Sequence, residues 1–227
     1  RVCSVAILGV CGVCCRQRMM VLRGDRYIGN GQLSSHHTTR QLGVDVDVLS
    51  ENGVPGTRTV RLAHARNRLW QAVRSMPQSP EYVLMLDLDG VNDDLDGVHT
   101  CMELPDGWGG CCANQRTTYY GLWALRTYDD WVDCDVWYEC TANRARRFRH
   151  IDPSAEPIEV RSCFGGAALY DYARVRTDAT YVGQANGHDQ CEHVGFHERL
   201  GAPMYIQPTL LNDAPTEHLP RGVDLYD

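Results

Sequence analysis

Two carboxylates lie one residue apart directly after an apolar segment of the chain. The segment runs from Tyr82 to Leu86 and is rich in residue types that favour β-strands, and Asp87 and Asp89 follow it. Because strand side chains alternate between two faces, both carboxylates would share one side of the chain if the strand continued. Paired carboxylates attract a hard divalent cation such as Mg²⁺ or Mn²⁺, which keeps coordination positions for phosphate oxygens. The pattern indicates a metal site at the end of a buried strand, and its alternative is a strand followed by a solvated acidic turn.

The composition limits the chemistry of such a site. The chain has 227 residues and a hydrophobic fraction of 43%, which fits a folded domain. Its formal net charge of −7 disfavours sequence-independent binding to nucleic acid. Apart from histidine, every basic residue is arginine. Schiff-base and lysine general-base chemistry are therefore excluded, and an anionic ligand would be bound by arginine, histidine, a metal ion or backbone amides.

The cysteine count of 11 is high, odd and scattered along the chain. Cys11 and Cys14 have the spacing of half a zinc site, but the sequence offers no matching second half. We interpret the cysteines as buried free thiols, which favours a reducing compartment.

The apolar opening from Val2 to Cys15 is too short to span a bilayer. Because the chain begins with Arg1, we expect a fragment or a processed product. We expect no membrane span in it and a cytoplasmic location, or the Golgi lumen if an upstream anchor has been removed.

Hydrophobic patterning predicts the elements that position the two carboxylates. Strands are expected at residues 2–10, at residues 44–49 and directly before Asp87, with a loop or the start of a helix at residues 9–18. An amphipathic helix is expected before the third strand, because apolar residues recur there at helical spacing and prolines follow; these residues are Leu62, Ala65, Leu69 and Val73, then Pro77 and Pro80. This alternation predicts an α/β domain with a mostly parallel central sheet flanked by helices, in which ligands bind at the carboxyl ends of strands.

Two later segments carry further candidate residues. Gly165 and Gly166 interrupt an apolar segment and would allow a ligand or another strand to approach the backbone closely. Residues 187–199 concentrate histidines and carboxylates in one short stretch. No internal repeat or domain linker is visible.

Several segments, in this order, resemble GT-A-fold nucleotide-sugar glycosyltransferases. The similarity is greatest to a group that includes the small amino-terminal glycosyltransferase domains of chlorella-virus proteins, and more distant to fungal capsule-type mannosyltransferases. The segments are residues 61–67, residues 86–92, Asn114–Gln115 with residues 119–126, residues 164–170 and residues 191–197. The resemblance implies a single Rossmann-like GT-A domain over residues 1–227, with a nucleotide-binding part at about residues 1–95 and a sugar and acceptor part at about residues 96–227.

The resemblance also implies which residues would bind the donor. Asp87 and Asp89 would hold Mn²⁺ or Mg²⁺ against the diphosphate of a nucleotide sugar, with His193 as a third metal ligand or a diphosphate contact. Arg61 and Arg66 are the candidates for further contacts to the diphosphate or the nucleoside.

The remaining implied roles concern the two sugars. Gly165 and Gly166 would lie against the donor sugar, and Tyr120 and Trp123 are candidates for stacking on sugar rings, with a place in the buried aromatic core as the alternative for Trp123. Asp189 and Glu192 are the candidate catalytic residues, either as the base on the acceptor hydroxyl or in orienting the sugar.

The resemblance implies a metal-dependent glycosyltransferase that moves a hexose or deoxyhexose from a nucleotide sugar, expected to be a UDP-sugar, to a glycan acceptor. One alternative is a haloacid-dehalogenase-type phosphatase with Asp87 as nucleophile, although that motif normally lies near the start of a chain and is followed by a lysine. The other is a non-catalytic glycan-binding or metal-binding module. An EF-hand calcium loop is disfavoured because Asn92 stands where its glycine is needed.

Overall fold

A nine-stranded mixed sheet forms the centre of the fold. The structure is a computed structural model that describes residues 5–10, 17–24, 45–51, 53–88, 90–92, 95–142 and 144–214. The strands of the sheet are β1 (Val5–Val10), β2 (Gln17–Gly24), β3 (Asp45–Glu51), β4 (Tyr82–Asp87), β5 (Gly110–Gln115), β6 (Arg126–Thr127), β7 (Ile158–Ser162), β8 (Ala167–Asp171) and β11 (Met204–Asn212). A separate hairpin is made of β9 (Gln184–Ala185) and β10 (His188–Asp189).

Few helices accompany these strands. The α-helices are α1 (Arg58–Arg74) and α2 (Glu192–His197), and short 3₁₀ helices lie at Val98–Glu103, Arg144–Arg147 and Tyr172–Arg174. Within the described ranges, no helix combines the length and the apolar character that crossing a membrane requires.

The pairing of the strands corrects the predicted sheet. The strand order is β3-β2-β1-β4-β8-β5-β11-β7-β6, and strands from both predicted parts of the chain join in it. Only the pairs β1–β4 and β5–β11 are parallel among these described strands, and the other neighbours are antiparallel. The expectation of a mostly parallel sheet is therefore wrong, and the fold is an α/β-like one with a mixed sheet.

The lengths of the connections between strands explain why the sheet is mixed and not mostly parallel. A parallel pair requires a long crossover, which α1 provides between β3 and β4 on the way from β1 to β4. Residues 9–18 were predicted as a loop or a helix start, but β2 begins at Gln17 and returns antiparallel to β1 after a short link. Strand β8 is inserted antiparallel between β4 and β5.

Both faces of the sheet are buried at β4. Val83 and Met85 of β4 belong to the apolar cluster that contains Leu69 and Trp70 of α1. Leu84 of the same strand points to the opposite face and belongs to a second apolar cluster. This alternation follows from the pleat of a strand, and it explains why β4 reads as a continuous apolar segment instead of an alternating one.

Helix α1 confirms the predicted amphipathic helix. Leu62, Ala65, Leu69 and Val73, the predicted apolar stripe, are all buried. The helix ends at Arg74, where the Ser75 hydroxyl donates to the carbonyl of Gln71 at 2.8 Å before the prolines are reached. Arg66 is also buried, with 2% exposure, and it lies on the core side of the helix.

Three disulfides correct the interpretation of the cysteines. They join Cys101 to Cys111, Cys112 to Cys163 and Cys134 to Cys140. Neighbours in β5 reach separate partners because consecutive strand side chains point to opposite faces, so each core cluster contains one of these bonds. The prediction of free thiols is wrong for these residues. Since disulfides persist in oxidising compartments, the basis for expecting a reducing one is lost. Cys11 and Cys14 lie outside the described residues.

The lengths of the closed loops predict unequal contributions to stability. The Cys112–Cys163 bond spans 51 residues and the Cys134–Cys140 bond spans 6. In the chain-entropy model, we expect Cys112→Ala with Cys163→Ala to lower the free energy of unfolding by about 4 kcal/mol, and Cys134→Ala with Cys140→Ala by about 2 kcal/mol. Urea unfolding of both double variants measures the difference. Labelling of Cys112 or Cys163 by a thiol reagent in unfolded, unreduced protein would contradict the pairing.

Candidate functional site

One edge of the sheet gathers the ends of four strands. The carboxyl ends of β1, β4, β5 and β11 lie there, because these strands run in the same direction. Asp87, the last residue of β4, pairs in register with Val10, the last residue of β1. Gly165 and Gly166 precede the amino end of β8 at the same edge, where Ala167 pairs with Leu86. The structure therefore places Asp87 and both glycines together, at the kind of edge where α/β proteins bind ligands.

A buried arginine joins two of the predicted carboxylates. The Arg66 Nη2 atom donates to Asp87 Oδ1 at 2.9 Å, and its Nε atom donates to Glu192 Oε1 at 2.9 Å. The side chains of Arg66 and Glu192 are 2% and 4% exposed, whereas that of Asp87 is 24% exposed. The three residues carry one positive and two negative charges, so the group has a net charge of about −1. Its partly open end is the carboxylate of Asp87.

Opposing effects determine the pKa of Arg66. Burial alone would lower it, but the carboxylates of Asp87 and Glu192 outweigh burial and raise the pKa above its ordinary value. The guanidinium stays charged at every pH at which the protein folds. Arg66 Nη1 is buried and has no hydrogen-bond partner within the described part of the chain.

His193 lies against this group in aromatic surroundings. Its ring stacks on Phe164 with the centroids 3.7 Å apart, and Tyr181 meets it edge-on at 5.3 Å. Neither ring nitrogen has a hydrogen-bond partner among the described residues. Burial, followed by the positive charge of Arg66, holds the pKa of His193 well below its ordinary value. The imidazole is therefore neutral at physiological pH, with a free lone pair.

The glycines at this edge are required by the protein's own packing. Gly165 and Gly166 have φ angles of +61° and +86°, in the left-handed region that favours glycine. A Cβ atom on Gly165 would lie 2.4 Å from the Ala113 carbonyl oxygen, and one on Gly166 would lie 2.8 Å from a Val91 methyl group. Of the two interpretations, a ligand or a neighbouring strand, these contacts support the second.

Amide side chains hold this glycine turn against β4. Asn92 Nδ2 donates to the Asp87 carbonyl at 2.9 Å and to the Gly166 carbonyl at 2.8 Å. Asn212 Nδ2 donates to Asn92 Oδ1 at 2.8 Å and to the Gly165 carbonyl at 2.8 Å. The sequence did not predict a role for either amide, because Asn92 lies five residues beyond β4 and Asn212 is the last residue of β11. Because both are buried, their bonds fix the backbone of Asp87.

The second candidate catalytic carboxylate lies elsewhere. Asp189 Oδ1 accepts from Thr57 Oγ1 at 2.8 Å and from Gln184 Nε2 at 3.1 Å. Hydrogen bonds from Thr57 and Gln184 lower the pKa of Asp189. Thr57 is the N-cap residue of α1, and Arg66 lies about 13 Å further along the helix at 1.5 Å per residue. The structure thus attaches Asp189 and Glu192 to different turns of α1.

Arg61 is a predicted residue that does not join the buried group. Arg61 is exposed, and its Nη1 atom donates to the Gly56 carbonyl at 2.7 Å. Asp89 lies outside the described residues. Within the ranges that the structure covers, no three His, Cys, Asp or Glu side chains are arranged to hold a metal ion. The predicted metal set of Asp87, Asp89 and His193 includes the residue that is not described.

A second buried histidine stabilises the core below the site. The Ser162 hydroxyl donates to the Ala124 carbonyl at 2.6 Å, so it is free to accept from His197 Nδ1, which lies 2.9 Å away. His197 Nε2 then accepts from the Tyr170 hydroxyl at 2.8 Å. Burial, followed by the charge of Arg66, lowers the pKa of His197 to about 3. Every polar atom of this ring is satisfied inside the protein, which fits a structural residue.

Comparison with family models, with curated proteins and with solved structures found no match for this chain.

Removal of Arg66 is expected to destabilise the protein strongly. Arg66→Met leaves Glu192 charged, buried and unpaired, so we expect the free energy of unfolding to fall by about 3 kcal/mol or more. Arg61→Met, on the exposed side of the same helix, should change it by less than about 0.5 kcal/mol. Urea unfolding at pH 7 compares the two. Adding Glu192→Gln to Arg66→Met should restore part of the loss, and no restoration would contradict the ion pair.

The lowered pKa of His197 predicts a loss of stability in acid. The pKa is about 3 in the folded protein and about 6.5 in the unfolded chain, so the unfolded state binds more protons between these values. The free energy of unfolding should therefore fall by about 1.4 kcal/mol per pH unit from this group as the pH drops from about 6 to 4. Urea midpoints at several pH values should fall less steeply for His197→Gln. Parallel pH profiles for the two proteins would contradict the prediction.

Proposed function

We propose that this chain is a metal-dependent glycosyltransferase of the GT-A type. It transfers a hexose or deoxyhexose from a nucleotide sugar, expected to be a UDP-sugar, to a glycan acceptor. The observation that carries the proposal is the placement of Asp87. Its carboxylate ends the central strand β4 at the carboxyl edge of the sheet, is oriented by a buried arginine and keeps 24% of its side chain exposed.

The donor set at this position fits a hard divalent ion. Asp87 supplies carboxylate oxygens, and Asp89 follows it in sequence with another carboxylate. The net negative charge of Arg66, Asp87 and Glu192 attracts a cation to the open end of the group. In the proposal, Asp87 and Asp89 hold Mn²⁺ or Mg²⁺, and the ion supplies charge neutralisation for the nucleoside diphosphate that leaves.

Arg66 acts in this proposal as a positioning residue for Asp87. One carboxylate oxygen is held by the guanidinium, while the Asn92 amide holds the carbonyl of the same residue. Because Asp87 is held at its side chain and at its backbone, its carboxylate loses little conformational freedom when it binds an ion. His193, in contrast, lies beside a permanent positive charge that disfavours a second cation there. We therefore assign the metal to the two aspartates and a packing role to His193.

The two acidic residues of the later segment receive different roles. Glu192 is buried and bound to Arg66, so its carboxylate is committed to the ion pair. Asp189 is accessible, and the hydrogen bonds that lower its pKa keep it ionised at neutral pH. A carboxylate with a lowered pKa is a weak base, so Asp189 is better suited to orienting an acceptor hydroxyl or steadying positive charge on the sugar than to removing a proton.

Metal-dependent UDP binding is the expected outcome that tests this function. Titration calorimetry of UDP into the protein should show binding with Mn²⁺ and none with EDTA. Asp87→Asn and Asp89→Ala should each remove the metal-dependent binding, because each loses a charged oxygen ligand. Asp178→Asn is the matched control, since Asp178 is an exposed aspartate paired with Arg176, and its binding should equal that of the wild type.

The same titration discriminates the alternatives. Absence of UDP binding under both conditions would contradict the proposal, and hydrolysis of p-nitrophenyl phosphate that is lost in Asp87→Asn would then favour the phosphatase. UDP binding that persists in EDTA would contradict the metal-dependent mechanism.

A further inference from the structure

A loop closed by a disulfide presents two aromatic side chains to solvent. The loop lies between Cys134 and Cys140, and its Trp137 and Tyr138 side chains are each 50% exposed. Large apolar side chains are normally buried, and exposed groups of them mark binding surfaces.

Asp135 holds this loop in one conformation. Its Oδ1 atom accepts from the backbone N–H of Trp137 at 2.8 Å and of Tyr138 at 3.2 Å. Its Oδ2 atom accepts from Trp123 Nε1 at 3.0 Å and pairs with Arg126 at 3.4 Å. Asp135 itself is 7% exposed. A buried carboxylate and a disulfide thus fix a loop whose aromatic rings face outward, and this preorganisation reduces the entropy lost on binding.

The two aromatic rings of the loop contact rings from two other segments of the chain. Trp123 packs edge-on against Trp137 with the centroids 6.2 Å apart, and Tyr138 stacks on His188 at 5.3 Å. Together, Trp123, Trp137, Tyr138 and His188 form what we call the aromatic surface. His188 belongs to β10, whose other residue is Asp189. Asp189 therefore follows the aromatic surface directly along the chain.

Size and charge indicate what this surface binds. An aromatic side chain offers 150–250 Å², so two half-exposed rings offer roughly 200 Å². A stable protein partner needs about 800 Å² on each side. The area suits one or two sugar rings, whose C–H faces cover aromatic rings while their hydroxyl groups bond to polar neighbours. The net charge of −7 disfavours an anionic ligand.

We propose that the aromatic surface binds the glycan acceptor as a neutral oligosaccharide. Hexose rings lie against Trp137 and Tyr138. The identity of this ligand as the acceptor rests on the proposed function, whereas its binding is measurable without any transfer reaction.

Direct binding of oligosaccharides tests the proposal. Maltotetraose, cellotetraose and mannotetraose are titrated separately, and binding is followed by ligand-observed NMR and by tryptophan fluorescence. We expect at least one of the three to bind saturably, and Trp137→Ala and Tyr138→Ala each to weaken it roughly tenfold through the lost apolar contact. Both variants keep the backbone N–H groups that bond to Asp135. Tyr138→Phe should retain binding, because it keeps the ring.

Tyr128 provides the matched control, because it is 68% exposed and lies outside the aromatic surface. Tyr128→Ala should bind like the wild type. The proposal is overturned if none of the three oligosaccharides binds, or if Tyr128→Ala weakens binding as much as Trp137→Ala does. It is also overturned if sedimentation shows a dimer that only Trp137→Ala dissociates, since the surface would then bind a second copy of the chain.

Donor binding separates this proposal from the preceding one. Trp137→Ala should retain the metal-dependent binding of UDP. Loss of oligosaccharide binding with retained UDP binding is the expected pattern. Oligosaccharide binding that depends on the aromatic surface, in a protein that does not bind UDP, would overturn the transferase and leave the glycan surface standing.

Discussion

The buried guanidinium of Arg66 is the interaction on which the candidate site depends. A charged group in a protein core is costly unless opposite charges face it with good geometry. Glu192 and Asp87 meet this requirement from two directions. Because Glu192 begins α2 and Asp87 ends β4, the same two ion pairs fix both elements relative to α1. The two ion pairs therefore couple the packing of these three elements to the position of the Asp87 carboxylate at the edge of the sheet.

Aromatic packing strengthens this arrangement. Phe164 lies 4.9 Å from the Arg66 guanidinium carbon, and Tyr181 lies 6.0 Å from it. These rings and His193 keep water away from the cation, and the low local dielectric strengthens both ion pairs. Phe164 also precedes the glycine turn, whose carbonyl oxygens accept hydrogen bonds from Asn92 and Asn212. The charge network and the amide network thus meet at one short connection at the carboxyl edge of the sheet.

Periodicity predicted α1 and β4 well, because each depends on local spacing of apolar residues. It did not predict strand direction, since a strand buried on both faces has the same composition in a parallel and an antiparallel sheet. The disulfides were missed because sequence alone does not fix pairing. The burial of Arg66 was foreseeable, because its position continues the helical spacing of Leu62 and Leu69. The bonds of Asn92 to residues far along the chain were not foreseeable, because no local pattern encodes them.

The short segment from β10 to α2 places its two carboxylates, Asp189 and Glu192, in different environments. Asp189 and Glu192 were interpreted from sequence as alternatives for a single role, since they are close along the chain. Helix α1 separates them, because Thr57 at its start binds one and Arg66, about 13 Å further on, binds the other. Glu192 is buried in its ion pair with Arg66, whereas Asp189 stays accessible. Chain proximity indicated the right segment, and the helix determined which of its carboxylates remains available to a ligand.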